Sequence, residues 1–585
     1  MERTLIKDTI DRVGQKVLIN GWVRVRRDHG KIVFLDVWDR SGTVQVVCND
    51  CPADTGDAVE ITGLVKTRPE KLINQKLETG KIELEAQEIK VLAKSETYPF
   101  DMGKEELDLE LPTLLDHRSL TLKHPKVQEI FKVQETILEA FRKTAKELGC
   151  TEIIVPTISA SATEGGAEVF FVDYFGHKCY LTQSPQLYKQ MLVPVFERVF
   201  TISKAYRAEP SVTTRHLTEA TQMDCEFGFV NFETLLNLLE KVGIEMLKAA
   251  ETHQSVPKVS YGKIPRLKMR EVQEIIYKEF GRDVRNEKDL GPQDEIDICA
   301  WALKNYRSDF VTVTHYPTKK RAFYTMPDPV DPEYSLSYDL LFRGMEILSG
   351  SQRVNDYGQL VAAIKDRGMD PKNFEMYLMA FEYGMPPEGG FSFGLERLTM
   401  KALELVNVRE ASLYPRDMER VDFRLCGKKV RDVFGEIRDL LDSNKIGYQV
   451  FEHEAVFTSE QAAKVRGTEL KQGAKALVMF GDDKPLMVVL PANLKVDTTQ
   501  FKKENKVKDL RMASAEEVEK LTSTKVGAVP PFGNLFNLPL FVDKKMGENE
   551  EVAFNAGEHT KSIKMKYADF EKVTNPVIGN YSSAG

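Results

Sequence analysis

The sequence is 585 residues long, and its apolar fraction of 42% and charged fraction of 29% are ordinary for globular proteins. At about 150 residues per domain, the length predicts three or four domains. No run of about 18 apolar residues occurs, and the start MERTLIKDTIDRVG has no apolar core, so we expect neither a membrane span nor a signal peptide. The net charge of −8 argues weakly against a nucleic-acid partner, although a local basic face can still bind one.

The seven cysteines are scattered along the chain in an odd number, which predicts a reducing, cytoplasmic location. Cys48 and Cys51 form one CxxC pair. A zinc site of this kind needs a second pair at matching spacing. Because the sequence has none, we interpret the pair as structural.

Residues 17–47 alternate apolar and polar positions and are rich in β-branched side chains, with turns at DHGK and DRSG. The pattern predicts short antiparallel strands, and about five of them predict a small barrel of the OB type. Such barrels bind single-stranded nucleic acid through basic and aromatic side chains. The stretch WVRVRRDHGK (22–31) supplies the basic ones, and Trp22, Phe34 and Trp38 lie nearby. The alternative is that these aromatics fill the barrel core.

Changes in pattern divide the chain into four parts. The barrel domain is expected at 1–95, and residues 96–125 show no strong period and are interpreted as a hinge. Residues 126–427 begin with a helical pattern, KVQEIFKVQETILEAFRKTAKELG, then a strand, EIIVP, and hold the charged motifs. Residues 428–585 combine a helical stretch, VRDVFGEIRDLLDSNKIG, with the strands ALVMF and LMVVLPA, which predicts a separate α+β domain. The predicted fold is therefore multidomain α+β.

Charged residues crowd into YRAEPSVTTRH (206–216), between the apolar runs VFTISKAY and TQMDCEFGFV. A strand–loop–strand hairpin is the simplest interpretation. Arginine forks such as those of Arg207 and Arg215 suit phosphate oxygens, and Glu209 could accept from an exocyclic amine. The alternative is a surface hairpin whose ion pairs have little energetic value.

Two other stretches favour a phosphate substrate. In SYDLLFRGMEILSGSQRVND (337–356), Asp339 and Glu346 on adjacent strands could face one Mg²⁺ ion, which prefers oxygen ligands. The stretch GGFSFGLERLTMKAL (389–403) places glycines and Arg397 at a helix start, where backbone N–H groups favour anions. The sequence contains neither a Walker A loop nor a GxGxxG motif followed by a suitable acid.

These motifs resemble the signature motifs of class II aminoacyl-tRNA synthetases. YRAEPSVTTRH is similar to the second motif, GGFSFGLERL to the third, and the helix and strand through Pro156 to the first, which builds the dimer interface of the family. The strings QSPQLYKQ, FYTMPDP and SGSQRVND narrow the resemblance to aspartyl-tRNA synthetases of the archaeal-like type. The resemblance covers roughly residues 1–425, and the order of several motifs makes it specific.

The resemblance implies a reaction in which the α-carboxylate of aspartate attacks the α-phosphorus of ATP, and the aspartyl group then passes to the 3′ end of tRNA. Charge builds on phosphate oxygens, which fixed cations stabilise. The implied catalytic residues are Arg207 and Arg397. The implied ATP-binding residues are Arg207, Glu209, Arg215, His216, Glu346, Ser349, Gly394 and Arg397. The implied Mg²⁺ ligands are Asp339, Glu346 and Ser349.

The resemblance also implies how aspartate is recognised. Lys189 and Arg353 would face the side-chain carboxylate, and a neutral amide would leave these two cations uncompensated. The full implied aspartate-binding set is Glu164, Ser184, Gln186, Lys189, Asp224 and Arg353. The alternative for Lys189 is a solvated helix face. Related asparaginyl enzymes usually lack this lysine, which favours aspartate.

The barrel then becomes the expected anticodon-binding domain, with Arg26 for phosphate contact and Phe34 for base stacking. The expected partners are L-aspartate, ATP, the aspartate tRNA, with the asparagine tRNA as a second candidate, and a second copy of the chain in a homodimer. Two alternatives stay open: an asparagine-specific or relaxed ligase, and a tRNA-binding paralogue without catalysis.

The C-terminal part resembles the aminoacyl-tRNA deacylase domains of the YbaK/ProX type, which hydrolyse mischarged tRNA. The resemblance rests on FEHEAVFTSEQAA, GAKALVMF, LMVVLPANLKVD and VGAVPPFGN. It implies that Lys475 acts as a catalytic residue and lines the substrate pocket together with Gly527 and Gly533, although the nearby Lys471 could take the position of Lys475. The alternative is that this domain only binds tRNA or braces a dimer.

Overall fold

A computed structural model of the protein describes residues 1–160, 169–208, 213–422, 425 and 432–584. The chain divides into two compact units, residues 1–425 and 426–585. No helix in the described part of the chain is long and apolar enough to cross a membrane. The domain boundaries drawn from the sequence stay predictions.

The first unit begins with a closed barrel whose strand order is β1-β2-β3-β5-β4, which confirms the predicted OB-type barrel. Its strands are β1 (Lys16–His29), β2 (Ile32–Asp39), β3 (Gly42–Cys48), β4 (Ala58–Thr67) and β5 (Ile82–Ala93).

The barrel core is aliphatic, with buried side chains such as Ile19, Leu35 and Val37. Because side chains alternate across a strand, Phe34 and Trp38 lie on the outer face of β2. Trp22 is exposed on β1. The alternative that these three aromatics fill the core is therefore wrong.

The rest of the first unit is built on an eight-stranded sheet with the order β12-β13-β14-β15-β16-β11-β10-β6. Between β6 and β10 in the chain, three strands form a separate small sheet with the order β7-β9-β8. The strands are β6 (Thr151–Glu152), β7 (Ile158–Ser159), β8 (Phe171–Tyr174), β9 (His177–Leu181), β10 (Arg198–Tyr206), β11 (Glu219–Gly228), β12 (Arg266–Lys268), β13 (Phe310–Thr314), β14 (Ser337–Phe342), β15 (Met345–Gln352) and β16 (Glu388–Gly394). The predicted strand EIIVP is mostly irregular, since β6 ends at Glu152.

Helices flank this sheet. They are α1 (Leu111–Asp116), α2 (Arg118–Thr121), α3 (Pro125–Glu147), α4 (Gln186–Met191), α5 (Val193–Phe196), α6 (Phe232–Ala250), α7 (Met269–Phe280), α8 (Pro292–Tyr306), α9 (Tyr357–Asp366), α10 (Glu375–Glu382) and α11 (Leu395–Ala402). Apolar faces of α3 and α6, which the 3.6-residue period places inward, share one core with the strands. This core fixes the strands that carry the charged motifs.

The segment 96–125 contains two short helices, α1 and α2, that its sequence pattern does not predict. The buried Arg118 fastens it to the rest of the unit by donating hydrogen bonds to the carbonyl oxygens of Leu413 at 2.9 Å and Ser412 at 2.7 Å. Arginine contacts between distant segments leave no periodic signal, which is why the sequence alone suggests an irregular hinge.

The second unit is α+β, and its main sheets have the orders β17-β24-β23 and β21-β18-β19-β22-β25, with β20 pairing β26. Its strands are β17 (Tyr448–Glu452), β18 (Ala474–Gly481), β19 (Lys484–Pro491), β20 (Leu494–Val496), β21 (Leu510–Met512), β22 (Leu540–Asp543), β23 (Glu551–Asn555), β24 (Lys561–Lys566), β25 (Val577–Gly579) and β26 (Ser582–Ala584). Its helices are α12 (Val433–Ser443), α13 (Ser459–Arg466), α14 (Thr498–Asn505), α15 (Ala515–Thr522) and α16 (Tyr567–Thr574). The fold class predicted from the sequence is confirmed.

Candidate functional site

A cavity of about 460 Å³ opens above the eight-stranded sheet. It is lined by twelve of the residues singled out in the sequence: Ser184, Gln186, Lys189, Arg207, Arg215, His216, Asp224, Glu346, Ser349, Arg353, Gly394 and Arg397. Glu164 and Glu209 lie outside the described residues. Side chains from distant stretches of the chain thus meet at one place.

The charged hairpin supplies one wall of the cavity. Strands β10 and β11 pair antiparallel with Tyr206 opposite Glu219, as predicted for YRAEPSVTTRH. Arg207 follows β10 directly, and its backbone N–H donates to the carbonyl oxygen of Thr218 at 2.9 Å. The ladder therefore continues just past the strand end and fixes the backbone from which the arginine projects.

One end of the cavity concentrates cations around Glu295, a residue of α8. Arg215 forms an ion pair with Glu295, whose carboxylate also accepts from the backbone N–H of Glu346 at 3.1 Å. Burial raises the pKa of Glu295 to about 7, although Arg215 opposes the shift. Arg397 lies 3.7 Å from the Glu346 carboxylate and donates to the carbonyl oxygen of Arg215 at 3.3 Å. These contacts hold two arginines in place for an anionic ligand.

The implied Mg²⁺ ligands lie on β14 and β15, where Asp339 pairs opposite Ser349. Asp339 does not line the cavity. Its Oδ2 accepts from Arg321 at 2.7 Å, and the same guanidinium donates to the Ser349 hydroxyl at 3.2 Å. Oδ1 of Asp339 is buried without a hydrogen-bond partner among the described residues. Burial and the charge of Asp339 raise the pKa of Glu346.

Two crowded carboxylates with an unpartnered oxygen are a donor set that suits a hard divalent cation. Among the described residues, no group of three His, Cys, Asp or Glu side chains forms a complete metal cage. Mg²⁺ commonly binds through one or two carboxylates together with substrate phosphates, so the set fits that ion. The sequence reasoning missed Arg321, because the charged neighbour of FYTMPDP carries no spacing signal.

The opposite end of the cavity is a buried cluster of charges. Lys189 on α4 is only 1% exposed, so the alternative of a solvated helix face is wrong. Its Nζ lies 2.8 Å from Asp224 and 3.1 Å from Glu226. Arg353 donates to Glu226 at 2.7 Å and to the Gln186 side-chain oxygen at 3.1 Å. The two cations predicted to face a carboxylate are therefore already held by two acids of β11.

A third acid, Glu388, completes the cluster. It is fully buried and accepts from the Gln190 amide at 2.7 Å. Burial and the neighbouring charge of Glu226 raise the pKa of Glu388 well above its usual value. The pKa of Glu226 is lowered instead. Burial acts to raise it, but the nearby charges of Arg353 and Lys189 outweigh burial. With Glu388 protonated, two cations face two carboxylates and the cluster is neutral.

The barrel residues chosen for tRNA contact differ in accessibility. Arg26 is tied to its own domain, since its guanidinium donates to the carbonyl oxygen of Ala53 at 2.7 Å and pairs with Asp28 at 3.0 Å. Phe34 is half-buried on the outer face, with its ring edge-on to His29 at 5.6 Å between centroids. Phe34 therefore presents a ring for stacking, whereas Arg26 has a structural role that its position in a basic run does not reveal.

The second unit has a cavity of its own, of about 270 Å³. Lys475 and Gly527 line it, and Lys475 donates to the carbonyl oxygen of Leu494 at 2.5 Å. Burial and the charge of Lys495 lower the pKa of Lys475. Gly533 is not among the lining residues.

The pocket assignment of Gly533 is corrected by its surroundings. A Cβ at this position would lie 2.7 Å from the carbonyl oxygen of Leu538 and 2.9 Å from the Leu540 Cβ. Gly533 therefore serves close backbone packing, which is a second reason for glycine in a loop of this composition.

Three family models match this chain. "tRNA synthetases class II (D, K and N)" matches residues 110–418, "OB-fold nucleic acid binding domain" matches residues 17–92, and "Aminoacyl-tRNA editing domain" matches residues 453–573. The three regions coincide with the large sheet, the barrel and the second unit.

Similar proteins cover the first unit. "Aspartate--tRNA(Asp/Asn) ligase" of Thermus thermophilus is 40% identical over 72% of this chain and 99% of that protein. The protein of the same name in Deinococcus radiodurans is 38% identical with the same coverage. "Aspartate--tRNA(Asp) ligase" of Pyrococcus abyssi is 36% identical over 70% of this chain and 96% of that protein.

Solved structures give the same result. The asparaginyl-tRNA synthetase of Pyrococcus horikoshii, complexed with asparaginyl-adenylate, has a TM-score of 0.65 and 29% identity and covers 72% of this chain and 99% of its own. The aspartyl-tRNA synthetase of Entamoeba histolytica has a TM-score of 0.63 and 27% identity, with 72% and 93% covered. The chain therefore belongs to the class II aminoacyl-tRNA synthetases of the aspartate, lysine and asparagine group, and it carries an OB-fold domain before the synthetase domain and an editing domain after it.

Proposed function

We propose that the protein is an aspartate–tRNA ligase that activates L-aspartate with ATP and transfers it to the 3′ end of tRNA. The observation that carries the proposal is the buried pair of Lys189 and Arg353 at one end of the cavity. Buried cations need anionic partners, and the side-chain carboxylate of aspartate is one that asparagine lacks. The names of the relatives support the same substrate.

Aspartate enters this cluster by exchange of partners. Lys189 and Arg353 turn part of their hydrogen bonding from Asp224 and Glu226 to the incoming carboxylate. Asp224 then gains a new cation, the α-ammonium group of the substrate. The side-chain carboxylate and the α-ammonium group add one charge of each sign to the cluster, which stays balanced, while the α-carboxylate lies toward the cationic end of the cavity. An uncharged amide would break ion pairs without replacing them.

The cationic end of the cavity suits the triphosphate of ATP. Arg207, at the end of β10, is placed for the α-phosphate and the attacking carboxylate, and Arg215, His216 and Arg397 for the outer phosphates. Asp339, Glu346 and Ser349 would hold Mg²⁺, which supplies a further positive charge against the phosphate oxygens. Arg321 orients Asp339 for this role.

The barrel is the anticodon-binding domain in this proposal, with Phe34 as a stacking residue. We expect Phe34→Ala to lower the kcat/KM of tRNA charging about tenfold, the usual value of one stacked base, and to leave ATP–pyrophosphate exchange without tRNA unchanged. A charging rate that stays at the wild-type value would remove Phe34 from the tRNA interface.

The protein works as a homodimer in this proposal. Exposed apolar side chains of Phe196 and Phe229 lie on segments that the Gly228 N–H joins to the Glu197 carbonyl, and the exposed Ile154 follows Ile153, whose N–H donates to the Phe200 carbonyl of β10. An apolar patch of this kind suits burial in an interface. Sedimentation equilibrium should give twice the chain mass, and Ile154→Glu should shift it toward the monomer.

The second unit hydrolyses aminoacyl-tRNA in this proposal, in a cytoplasm where mischarged tRNA arises. Water adds to the ester carbonyl carbon, the bond to the ribose oxygen breaks, and the products are a free amino acid, a ribose hydroxyl and one proton. The match to an editing domain and the cavity at Lys475 support this activity.

The proposed ligase is tested by amino-acid-dependent ATP–pyrophosphate exchange without tRNA. We expect exchange with aspartate and at least about 100-fold less with asparagine, since a missing charged group leaves buried partners unpaired. Charging of purified aspartate and asparagine tRNAs then defines the tRNA range. Exchange with asparagine alone would contradict the proposal, and no exchange with either would leave a tRNA-binding protein.

A further inference from the structure

The cavity of the second unit has an unusual charge balance. Among its described lining residues are two cations, Arg466 and Lys475, and no aspartate or glutamate. Lys475 donates to the carbonyl oxygens of Ala492 and Leu494, and the carboxylate of Glu460, which is not among the lining residues, acts on it electrostatically. The described lining of the pocket therefore carries positive charge and no carboxylate, and Arg466 is the cation without a nearby acid.

Arg466 is the more deeply placed cation. It ends α13 and is 8% exposed. Its Nε donates to the Ser562 hydroxyl at 2.9 Å, and its Nη2 donates to the Asn555 side-chain oxygen. No carboxylate in the described part of the chain forms an ion pair with it. Burial lowers the pKa of Arg466 to about 10.

One step further out, Ser562 is hydrogen-bonded to a histidine. Nδ1 of His453 lies 2.8 Å from the carbonyl oxygen of Glu454, which can only accept, so Nδ1 carries the proton. Nε2 of His453 lies within hydrogen-bond distance of the Ser562 hydroxyl oxygen, at 2.7 Å. The chain from Arg466 through Ser562 to His453 thus fixes the guanidinium without adding a negative charge.

A hydroxyl group at the cavity lacks a hydrogen-bond partner among the described residues. The Thr468 hydroxyl oxygen is buried with no hydrogen bond from the described residues. Buried cations are almost always paired, and unpaired buried polar groups cost free energy. Two such features in one small cavity indicate that the missing partner is a ligand, and that this ligand is an anion.

We propose that Arg466 determines specificity in the second unit by binding the side-chain carboxylate of an acidic aminoacyl group esterified to the 3′ end of tRNA. The inference rests on the proposed deacylase function and adds its substrate class, namely aspartyl or glutamyl esters. A guanidinium fork suits a carboxylate in two-point contact. A neutral aminoacyl group would leave Arg466 buried and unpaired.

A phosphate of the tRNA backbone is the other source of an anion. Depth favours the carboxylate, because a cavity of about 270 Å³ admits a small side chain but not a polynucleotide backbone. Lys475 is half-buried and therefore more exposed than Arg466. A backbone phosphate could reach Lys475 more easily. The two sources make different predictions for esters of the same tRNA.

The first experiment measures hydrolysis of preformed aspartyl and asparaginyl esters of one tRNA by the full chain, without ATP, AMP or pyrophosphate. The two acyl groups have nearly the same shape and differ in charge. We expect wild type to hydrolyse the aspartyl ester at least about tenfold faster. Arg466→Met should bring the ratio close to one, and Arg466→Lys should give an intermediate ratio.

Lys464→Met is the matched control, since Lys464 is exposed in the same last turn of α13. It should leave the ratio at the wild-type value. A wild-type preference for the neutral ester, or a ratio that Arg466→Met does not change, would overturn the inference. Thermal unfolding of each variant shows whether a loss of activity reflects a loss of fold.

A binding measurement separates this inference from the deacylase proposal. Adenosine carrying a 3′-aspartylamide or 3′-asparaginylamide cannot be hydrolysed, and calorimetry can compare the two with the synthetase site filled by a sulfamoyl analogue of aspartyl-adenylate. Tighter binding of the aspartyl compound that depends on Arg466, without hydrolysis of any ester, would reject deacylation and keep the inference. Arg466→Met could instead weaken the binding of both compounds equally, and only when they carry a 5′-phosphate. That result would place the phosphate at Arg466 and overturn the inference.

Discussion

The two cavities of the protein handle buried cations in opposite ways. In the synthetase cavity, each of the buried cations Lys189 and Arg353 is paired with a carboxylate, from Asp224 and Glu226, before a substrate binds. In the cavity of the second unit, the acceptors that Arg466 contacts among the described residues are neutral. Acids of the protein hold the cations of the first cavity in position, and the carboxylate of a substrate can replace these acids as a partner. In the second cavity, the charge of the cation is balanced only when an anionic ligand binds.

The largest effect expected from this difference is on stability. Glu226→Gln removes the carboxylate that Lys189 and Arg353 share, and it leaves a buried guanidinium unpaired. We expect the free energy of unfolding to fall by about 3–5 kcal/mol, the cost typical of breaking a buried ion pair. Calorimetric or denaturant unfolding of the first unit measures it.

Glu233→Gln is the control for this variant, because Glu233 is paired with Arg266 but its side chain is 72% exposed. A surface pair of that kind contributes less than about 1 kcal/mol. Equal, small losses of stability in both variants would mean that the ion pairs of Glu226 stabilise the fold no more than the surface pair of Glu233 and Arg266.

A pH effect of intermediate size is expected at Glu388. Its folded pKa is raised above the ordinary value of 4.5, so its stabilising contribution is fully present below that value and is lost as pH rises through the folded pKa. Glu388→Gln imitates the protonated acid and can keep the contact with Gln190. We expect its melting temperature to fall less than that of wild type on going to alkaline pH. Parallel curves would show that Glu388 is not the titrating group.

The smallest stability effect is expected at Arg466. Replacement of an unpaired buried cation by an apolar side chain relieves desolvation, so Arg466→Met should change the free energy of unfolding of the second unit by less than about 1 kcal/mol, or raise it. The contrast with Glu226→Gln sharpens the comparison of the two cavities. A loss of about 3 kcal/mol or more would make Arg466 a structural residue held by Ser562 and Asn555.

Sequence patterns predicted the barrel, the charged hairpin and the two adjacent strands that carry Asp339 and Glu346, because these features depend on alternation and on local motifs. Lys189 and Arg353 were also identified from the sequence, through motifs that resemble those of the family. What the patterns missed are the partners that come from distant segments. Glu295 lies on α8 and Glu388 on β16, and no spacing links either to the motif that it contacts.

Glu226 is a partial exception. It lies two residues after Asp224 on β11, so strand alternation places both on one face, and that signal was present in DCEFGFV. Gly533, which does not line the pocket, and Arg26, whose tRNA contact stays a prediction, show the same ambiguity. A glycine or an arginine in a motif serves either a ligand or its own backbone, and only the packing around it distinguishes the two.

The most direct test of the account is the ratio of aspartate to asparagine in ATP–pyrophosphate exchange by Lys189→Met. The control is Lys241→Met, which alters an exposed lysine of α6. The account predicts that Lys189→Met loses at least about 100-fold in kcat/KM for aspartate while exchange with asparagine falls far less, and that Lys241→Met keeps the wild-type ratio. A folded Lys189→Met variant that still prefers aspartate as strongly as wild type would contradict the claim that the buried cations select the substrate.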